Sequence, residues 1–223
     1  MTKDGFERQF GICHMGHFYL FNKLLPVIKA NKPRIVALSS CGHYCFHSAK
    51  EMTAWLKLSN DGYKGPSEDA VAYDQGGYTY YGIAKMSNLL FARQINKLYN
   101  KDGIYALSLH PGAINTELGR NSSIDCDSMY GGCGFRILWE MSKIKSIPQG
   151  AATSLRCATI SDEEIVAGDV NDEQLLYFDD VMSRNDKIHG EFIHGQNTEI
   201  DELLWNYSCE AIKKLDYLTL NEE

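Results

Sequence analysis

Tyr81 and Lys85 are spaced for proton chemistry, because positions i and i+4 of a helix share one face and bring an ammonium beside a phenol. Phenol titrates at about 10 when unperturbed, and a fixed cation nearby favours the phenolate. Such a group can exchange a proton with a carbonyl or alcohol oxygen. The spacing alone decides nothing, since a chain with 13 tyrosines should contain about one Tyr-x-x-x-Lys by chance. A second pair, Tyr19 with Lys23, is indeed present. The surroundings have to discriminate between them.

Hydrophobic periodicity predicts which elements would position these residues. A helix is expected over 4–30, with Asp4 as cap, Glu7 three residues on as in a capping box, Phe6, Phe10, His14, His17 and Phe21 at helical spacing, and Pro26 bending or ending it. The apolar run 35–38 predicts a strand buried on both faces of a parallel sheet, ended by Ser39 and Ser40. Residues 41–77 read as a long polar excursion over the active face, with short helical text around 49–58. Residues 80–99 predict a second helix, with Ile83, Met86 and Leu90 on one row and Phe91, Ile95 and Leu98 on the next. After a turn at 100–103, a second buried strand is expected over 104–109, ended by His110-Pro111-Gly112.

Strand, helix, strand in that order is the unit of a doubly wound α/β sheet, in which ligands bind outside the carboxyl ends of the strands. Ser39, Ser40, Pro111, Gly112 and the start of the Tyr81 helix all fall on that edge. Residues 113–146 have little periodicity and read as a substrate loop, and 148–159 as a helix with Pro148 near its start. Residues 175–178 are one candidate strand and 190–194 the favoured last core strand. Residues 198–215 close the chain as a helix.

Composition bounds the function. The chain has 223 residues, 44% hydrophobic and 23% charged, enough for one domain with a sizeable core. A net charge of -7 with no basic run argues against nucleic acid. Seven cysteines without C-x-x-C suggest neither zinc nor a disulfide framework and fit a reducing, cytoplasmic setting. No apolar run is long enough to span a membrane. A serine hydrolase lacks its G-x-S-x-G elbow and an NTPase its phosphate loop.

The ordered set Ser40, Tyr81-x-x-x-Lys85 and Pro111-Gly112-Ala113-Ile114-x-Thr116 resembles the short-chain dehydrogenase/reductase family. The flanking text, including Gly16-His17-Phe18 and Gln149-Gly150-Ala151-Ala152, is most similar to its retinol dehydrogenase and WW-domain oxidoreductase branch. The resemblance implies a Rossmann domain, a three-layer α/β/α sandwich, and hydride transfer between NADP or NAD and a carbonyl or alcohol. NADP is favoured by the same resemblance. Tyr81 is then the proton donor, Lys85 lowers its pKa and holds the cofactor ribose, and Ser40 hydrogen-bonds the substrate oxygen, with Ser39 as the fallback. Pro111, Gly112, Ile114 and Thr116 are the remaining cofactor contacts, Thr116 alternatively being a plain helix cap. Tyr19 and Lys23 stand in the wrong element for this role.

Two departures qualify the resemblance. Cys13 occupies the slot where the family carries an asparagine that helps to hold the lysine, and a thiol donates and accepts weakly. His14 and His17 beside it read as packing groups. No Gly-rich phosphate-binding turn precedes Ser40, so residues 1–223 read as a single, N-terminally truncated domain, the C-terminal part of a doubly wound sheet. In that order the strand over 35–38 becomes an edge, and the chain alone is expected to bind cofactor poorly and to dimerise or aggregate. The alternative to an enzyme is a catalytically inactive dehydrogenase acting as an interaction or regulatory module, including as a homodimer. Substrates of the enzyme would be retinoid-, steroid- or lipid-aldehyde-like.

Overall fold

Helix formation begins at Arg8, one turn later than the Asp4 cap predicts, because the Glu7 carboxylate takes the first free amides. It accepts from Gln9 N at 2.9 Å and Phe10 N at 2.8 Å. The computed structural model describes residues 2–45, 78–116, 144–168, 177–179, 182–183 and 199–221. Most of the two irregular stretches, and the strand expected over 190–194, lie outside them.

The first helical segment has three parts: α1 (Arg8–Phe10), a π-turn (Gly11–Met15) and α2 (Gly16–Asn31). The π-turn widens the helix locally and rephases its apolar face. Phe10, His14, Phe18 and Phe21 are buried, while His17, expected on the same row, faces out. Gly11 permits this entry, since a Cβ there would lie 2.9 Å from both Phe6 Cβ and Thr2 Cγ2. Pro26 neither ends α2 nor stops it before Asn31, because it lies on the exposed side. The helix stops at Lys32, left-handed at φ 50°, whose amide returns to Ile28 O.

β1 (Ile35–Leu38) pairs in parallel with β2 (Ala106–His110), with Ile35 opposite Ala106. Between them runs α3 (Tyr78–Tyr99), which a short 3-10 turn (Asn100–Asp102) and Gly103 at φ 78° return to the sheet. α4 (Ile147–Thr159), with its Ser146/Gln149 capping box, and α5 (Asp162–Gly168) follow. β3 (Tyr177–Asp179) pairs in parallel with β2, so the weaker candidate at 175–178 marks the third parallel strand of the described sheet. β4 (Met182–Ser183) closes the order β1-β2-β3-β4 in antiparallel fashion, and α6 (Glu199–Asn221) ends the described chain.

Alternation along the strands divides the core. Ile35, Ala37 and Ala106 pack with Phe18, Phe21, Phe91 and Ile95, whereas Val36, Leu107 and Leu109 pack with Cys157, Ile160 and Phe178. β2 is buried throughout; β1 is not. Leu38 is 44% exposed, against the expectation of burial on both faces, because β1 is the edge of the sheet among the described residues. Burial in the Cys157 cluster pushes that thiol up to about 12.

α3 is buried on nearly every side from Gly82 to Asn96. Leu98, expected on its second apolar row, is instead 45% exposed at the end of the helix. Several of its polar residues are paired across the core. Asn96 exchanges two hydrogen bonds with the backbone of Ala106, at 2.8 and 2.7 Å. Arg93 forks onto Asp201 of α6 at 2.6 and 2.5 Å, and Lys97 joins the same carboxylate at 2.7 Å. Asp201→Asn leaves Arg93 buried opposite a neutral group and is expected to lower stability by about 3–5 kcal/mol in urea unfolding. His14 gives a second prediction. Burial, then His17, holds its pKa down at about 3 against 6.5, with Asn88 opposing weakly. The unfolded chain thus binds a proton that the folded one refuses, so stability falls as pH drops from 6.5 toward 3. In His14→Leu that acid loss should be smaller by several degrees of Tm between pH 7 and pH 5, as read by thermal melts, each kcal/mol being about 2–4 °C in a chain of this length.

Candidate functional site

Ser39 and Ser40 follow directly from the end of β1, and the short 3-10 turn Cys41–Cys45 folds over the first turns of α3. Gly42 is the point of closest approach. A Cβ on it would lie 2.6 Å from Tyr81 Cε1 and 3.5 Å from Ser40 Oγ, so the Tyr81 ring and the Ser40 hydroxyl flank one bare backbone position. Ser40 is buried, its Oγ accepts from Gly42 N at 3.1 Å, and its carbonyl meets His43 Nδ1. Ser39 differs: its hydroxyl donates to Lys85 O at 2.7 Å and fastens α3 to the end of β1.

Lys85 rises one turn beyond Tyr81, and its Nζ lies 5.6 Å from the Tyr81 ring centroid. The same Nζ donates to Leu38 O at 3.2 Å, a carbonyl that also accepts from Asn88 Nδ2 at 3.0 Å. Burial pulls the Lys85 pKa down, and Cys13 from the π-turn acts to raise it. Tyr19 and Lys23 make the same local pair, with Nζ 4.9 Å from the ring, on the outer face of α2. Spacing produced both pairs; the fold brings only one of them beside Ser40.

Pro111 and Gly112 leave β2 at the same carboxyl edge, with Gly112 at φ 85°. Lys145 is the neighbour that sequence reasoning missed. Its backbone forms a parallel bridge with Ile114, through Asn115 N to Lys145 O at 3.0 Å and Lys145 N to Ala113 O at 2.8 Å. Its side chain lies on the turn, with Nζ 2.5 Å from where a Gly112 Cβ would stand and 3.4 Å from Pro111 O. No spacing along the chain could have signalled a residue more than thirty positions away. Ile114 points its Cδ1 to the place of a Cβ on Gly150, packing toward α4, while Thr116 is exposed. Asn88 was also missed, although it lies three residues after Lys85 and thus on the same helix face.

A cleft of about 390 Å³ bordered by Lys32, Arg34, Tyr105 and Ile160 lies at the opposite, amino-terminal ends of β1 and β2 and takes no part in this arrangement. Among the described residues no cluster of three or more His, Cys, Asp or Glu could hold a metal, and no helix is long and apolar enough to cross a membrane.

Known proteins resemble most of the chain. No family model matches the chain. The chain is 33% identical over 219 residues to mouse retinol dehydrogenase 12 and 32% identical over 219 residues to mouse retinol dehydrogenase 11. In each case the match covers 95% of this chain and 56% of the relative. Chicken WW domain-containing oxidoreductase is 30% identical over 172 residues, which is 75% of this chain and 37% of that protein. The chain spans about half the length of the curated relatives it matches. Together with the Ser40, Tyr81 and Lys85 arrangement, this relationship identifies the chain as a member of the short-chain dehydrogenase/reductase family, akin to the retinol dehydrogenases.

Proposed function

We propose that the chain serves NAD(P)-dependent oxidoreduction, a hydride passing between nicotinamide and a carbonyl or alcohol while Tyr81 handles the proton. The observation that carries this reading is the meeting of the Tyr81 ring, the Ser40 hydroxyl and the Lys85 ammonium at the carboxyl end of β1. The apolar clusters on both faces of the sheet support a doubly wound, three-layer architecture within one domain over 1–223.

The residues fit the nicotinamide and ribose end of a dinucleotide. Gly112 presents backbone without a side chain, with the Lys145 cation over the same turn, and Lys85 and Tyr81 supply a cation and a hydroxyl on the adjoining strand end. Pro111, Gly112, Thr116, Tyr81 and Lys85 would hold that end, and Ile114 would act through packing, since it points toward α4. When bound, nicotinamide supplies or takes up the hydride. In carbonyl reduction the Tyr81 hydroxyl gives its proton to the substrate oxygen, Ser40 donates to the same oxygen as negative charge gathers there, and Lys85 stabilises the resulting phenolate. NADP is favoured by the family resemblance, and the relatives' names favour a retinoid-like aldehyde or alcohol over a steroid or another lipid aldehyde.

One observation favours the second reading, an inactive dehydrogenase acting as an interaction module: the Lys85 ammonium is engaged by Leu38 O, and Cys13, in the slot read as the family's asparagine position, offers only a weak donor and acceptor. Titration of the chain with NADPH and NADH by fluorescence separates the two, because an interaction module need bind neither. For the enzyme, Tyr81→Phe is expected to lower aldehyde turnover about 10²- to 10⁴-fold with cofactor affinity nearly unchanged. Turnover within a factor of two of the parent would sink the assignment. Gly42→Ala drives a methyl into the Tyr81 ring, so its kcat should fall at least about tenfold while the melting temperature moves by only a few degrees. An alanine variant with parental kcat would show that the ring is placed by other contacts.

A further inference from the structure

A carbonyl shared by two donors links the candidate lysine to the interior. Ile35 N and Ser39 N bond to β2, at 2.9 and 2.8 Å, so the alternating register turns the backbone groups of Val36 and Leu38 to the other edge of β1. Among the described residues no strand pairs there. Leu38 O is met instead by Lys85 Nζ and Asn88 Nδ2 from α3.

Asn88 is only 1% exposed, and its amide stands at one end of a buried polar row. His14 Nε2 lies 3.1 Å from Ser208 Oγ of α6, inside a cage of Phe10, Phe18 and Phe91 rings. His14 Nδ1 and Asn88 Oδ1 are both buried and have no partner within hydrogen-bond distance among the described residues. Asn88 nonetheless acts on His14 in the direction of protonation. One tautomer reconciles these facts. The Ser208 hydroxyl gives its single proton to Leu204 O at 2.8 Å, so its Oγ accepts from His14 Nε2, and the neutral ring carries its proton there. Nδ1 is then bare, and only a protonated ring could donate to Asn88 Oδ1.

We propose that Asn88 is a positioning residue for Lys85: by holding one lone pair of Leu38 O from a buried site on α3, it fixes where the lysine ammonium can stand. The inference rests on the oxidoreductase reading for its catalytic meaning, and it adds that the amide near the lysine comes from α3 where Cys13 occupies the π-turn. Cys13 from the π-turn acts to raise the Lys85 pKa, and the Tyr81 ring on its own helix lies 5.6 Å from Nζ.

The test uses the free chain with isotope-labelled lysines, the Lys85 signal being assigned by its loss in Lys85→Arg. Asn88→Asp puts a carboxylate within reach of the ammonium and should move the Lys85 titration to higher pH, while Asn88→Leu, similar in volume but without donors, should shift and broaden the Lys85 signal with other lysines unmoved. In turnover assays Asn88→Leu should lower kcat about tenfold, the scale of one hydrogen bond in an arrangement around a charged group, with aldehyde KM changed less than twofold. A Lys85 titration in Asn88→Asp identical to that of the parent would overturn the proposal. So would an unmoved Lys85 signal in Asn88→Leu, which decides alone if the aspartate variant does not fold. Absence of turnover and cofactor binding in the parent chain would instead remove the oxidoreductase reading, and the lysine titration would still stand as the test of Asn88.

Discussion

A helix buried on nearly every side needs partners for the polar groups it carries, and α3 meets most of that need, with Asn88 Oδ1 and Gln94 Oε1 left without a hydrogen-bond partner among the described residues. Arg93 answers it with Asp201, Asn96 with the backbone of β2, Ser87 with Ile83 O, and Asn88 with Leu38 O. The bonds to Ala106 and Leu38 also fix the rotation and height of the helix against the sheet, to a degree that apolar packing alone does not. Tyr81 and Lys85 inherit their place from them. The pair that does the proposed chemistry is positioned by bonds made further along the same helix, within a core that water does not reach.

Element types that follow from unbroken periodicity were legible in the sequence. The strand at Ile35–Leu38 matched its apolar run, and α3 and α4 lay within two residues of expectation, because Pro148 and the turn at Gly103 are unambiguous local signals. Local text failed where a longer-range contact or an irregular turn took over. The π-turn could not be seen in spacing that assumed a regular helix, so His17 was assigned to a face it does not occupy. The apolar text at 175–178 offers the strand at Tyr177–Asp179 as a candidate, but so short a run carries little periodicity, and pairing with β2 is what places it in the sheet. For the candidate site, the residue types and their order were readable. The partners that hold them were not, since Gly42, Lys145 and the Leu38 carbonyl enter through tertiary contacts that no fixed sequence separation encodes.

The edge at β1 connects stability to the site. Parallel strands are ordinarily covered and flanked, and the two side-chain donors on the Leu38 carbonyl are a local substitute for a neighbouring strand, of which there is none on that side among the described residues. The lysine proposed to serve catalysis is therefore also a cap on the sheet. Burial lowers its pKa and Cys13 opposes that shift, so its charge state is set partly by how the edge is covered.

The bridge between Ile114 and Lys145 has a further consequence, for evolvability. It sets the entry and exit of the intervening segment side by side at the rim of the sheet, as a hem fastens both ends of a fold of cloth. For any loop closed at its base, a doubling of length costs only about 0.6 kcal/mol in closure entropy. Changes of length or sequence between the two fastened ends need not strain the frame that holds Tyr81 and Lys85, so the proposed chemistry and the chain between these ends could vary separately.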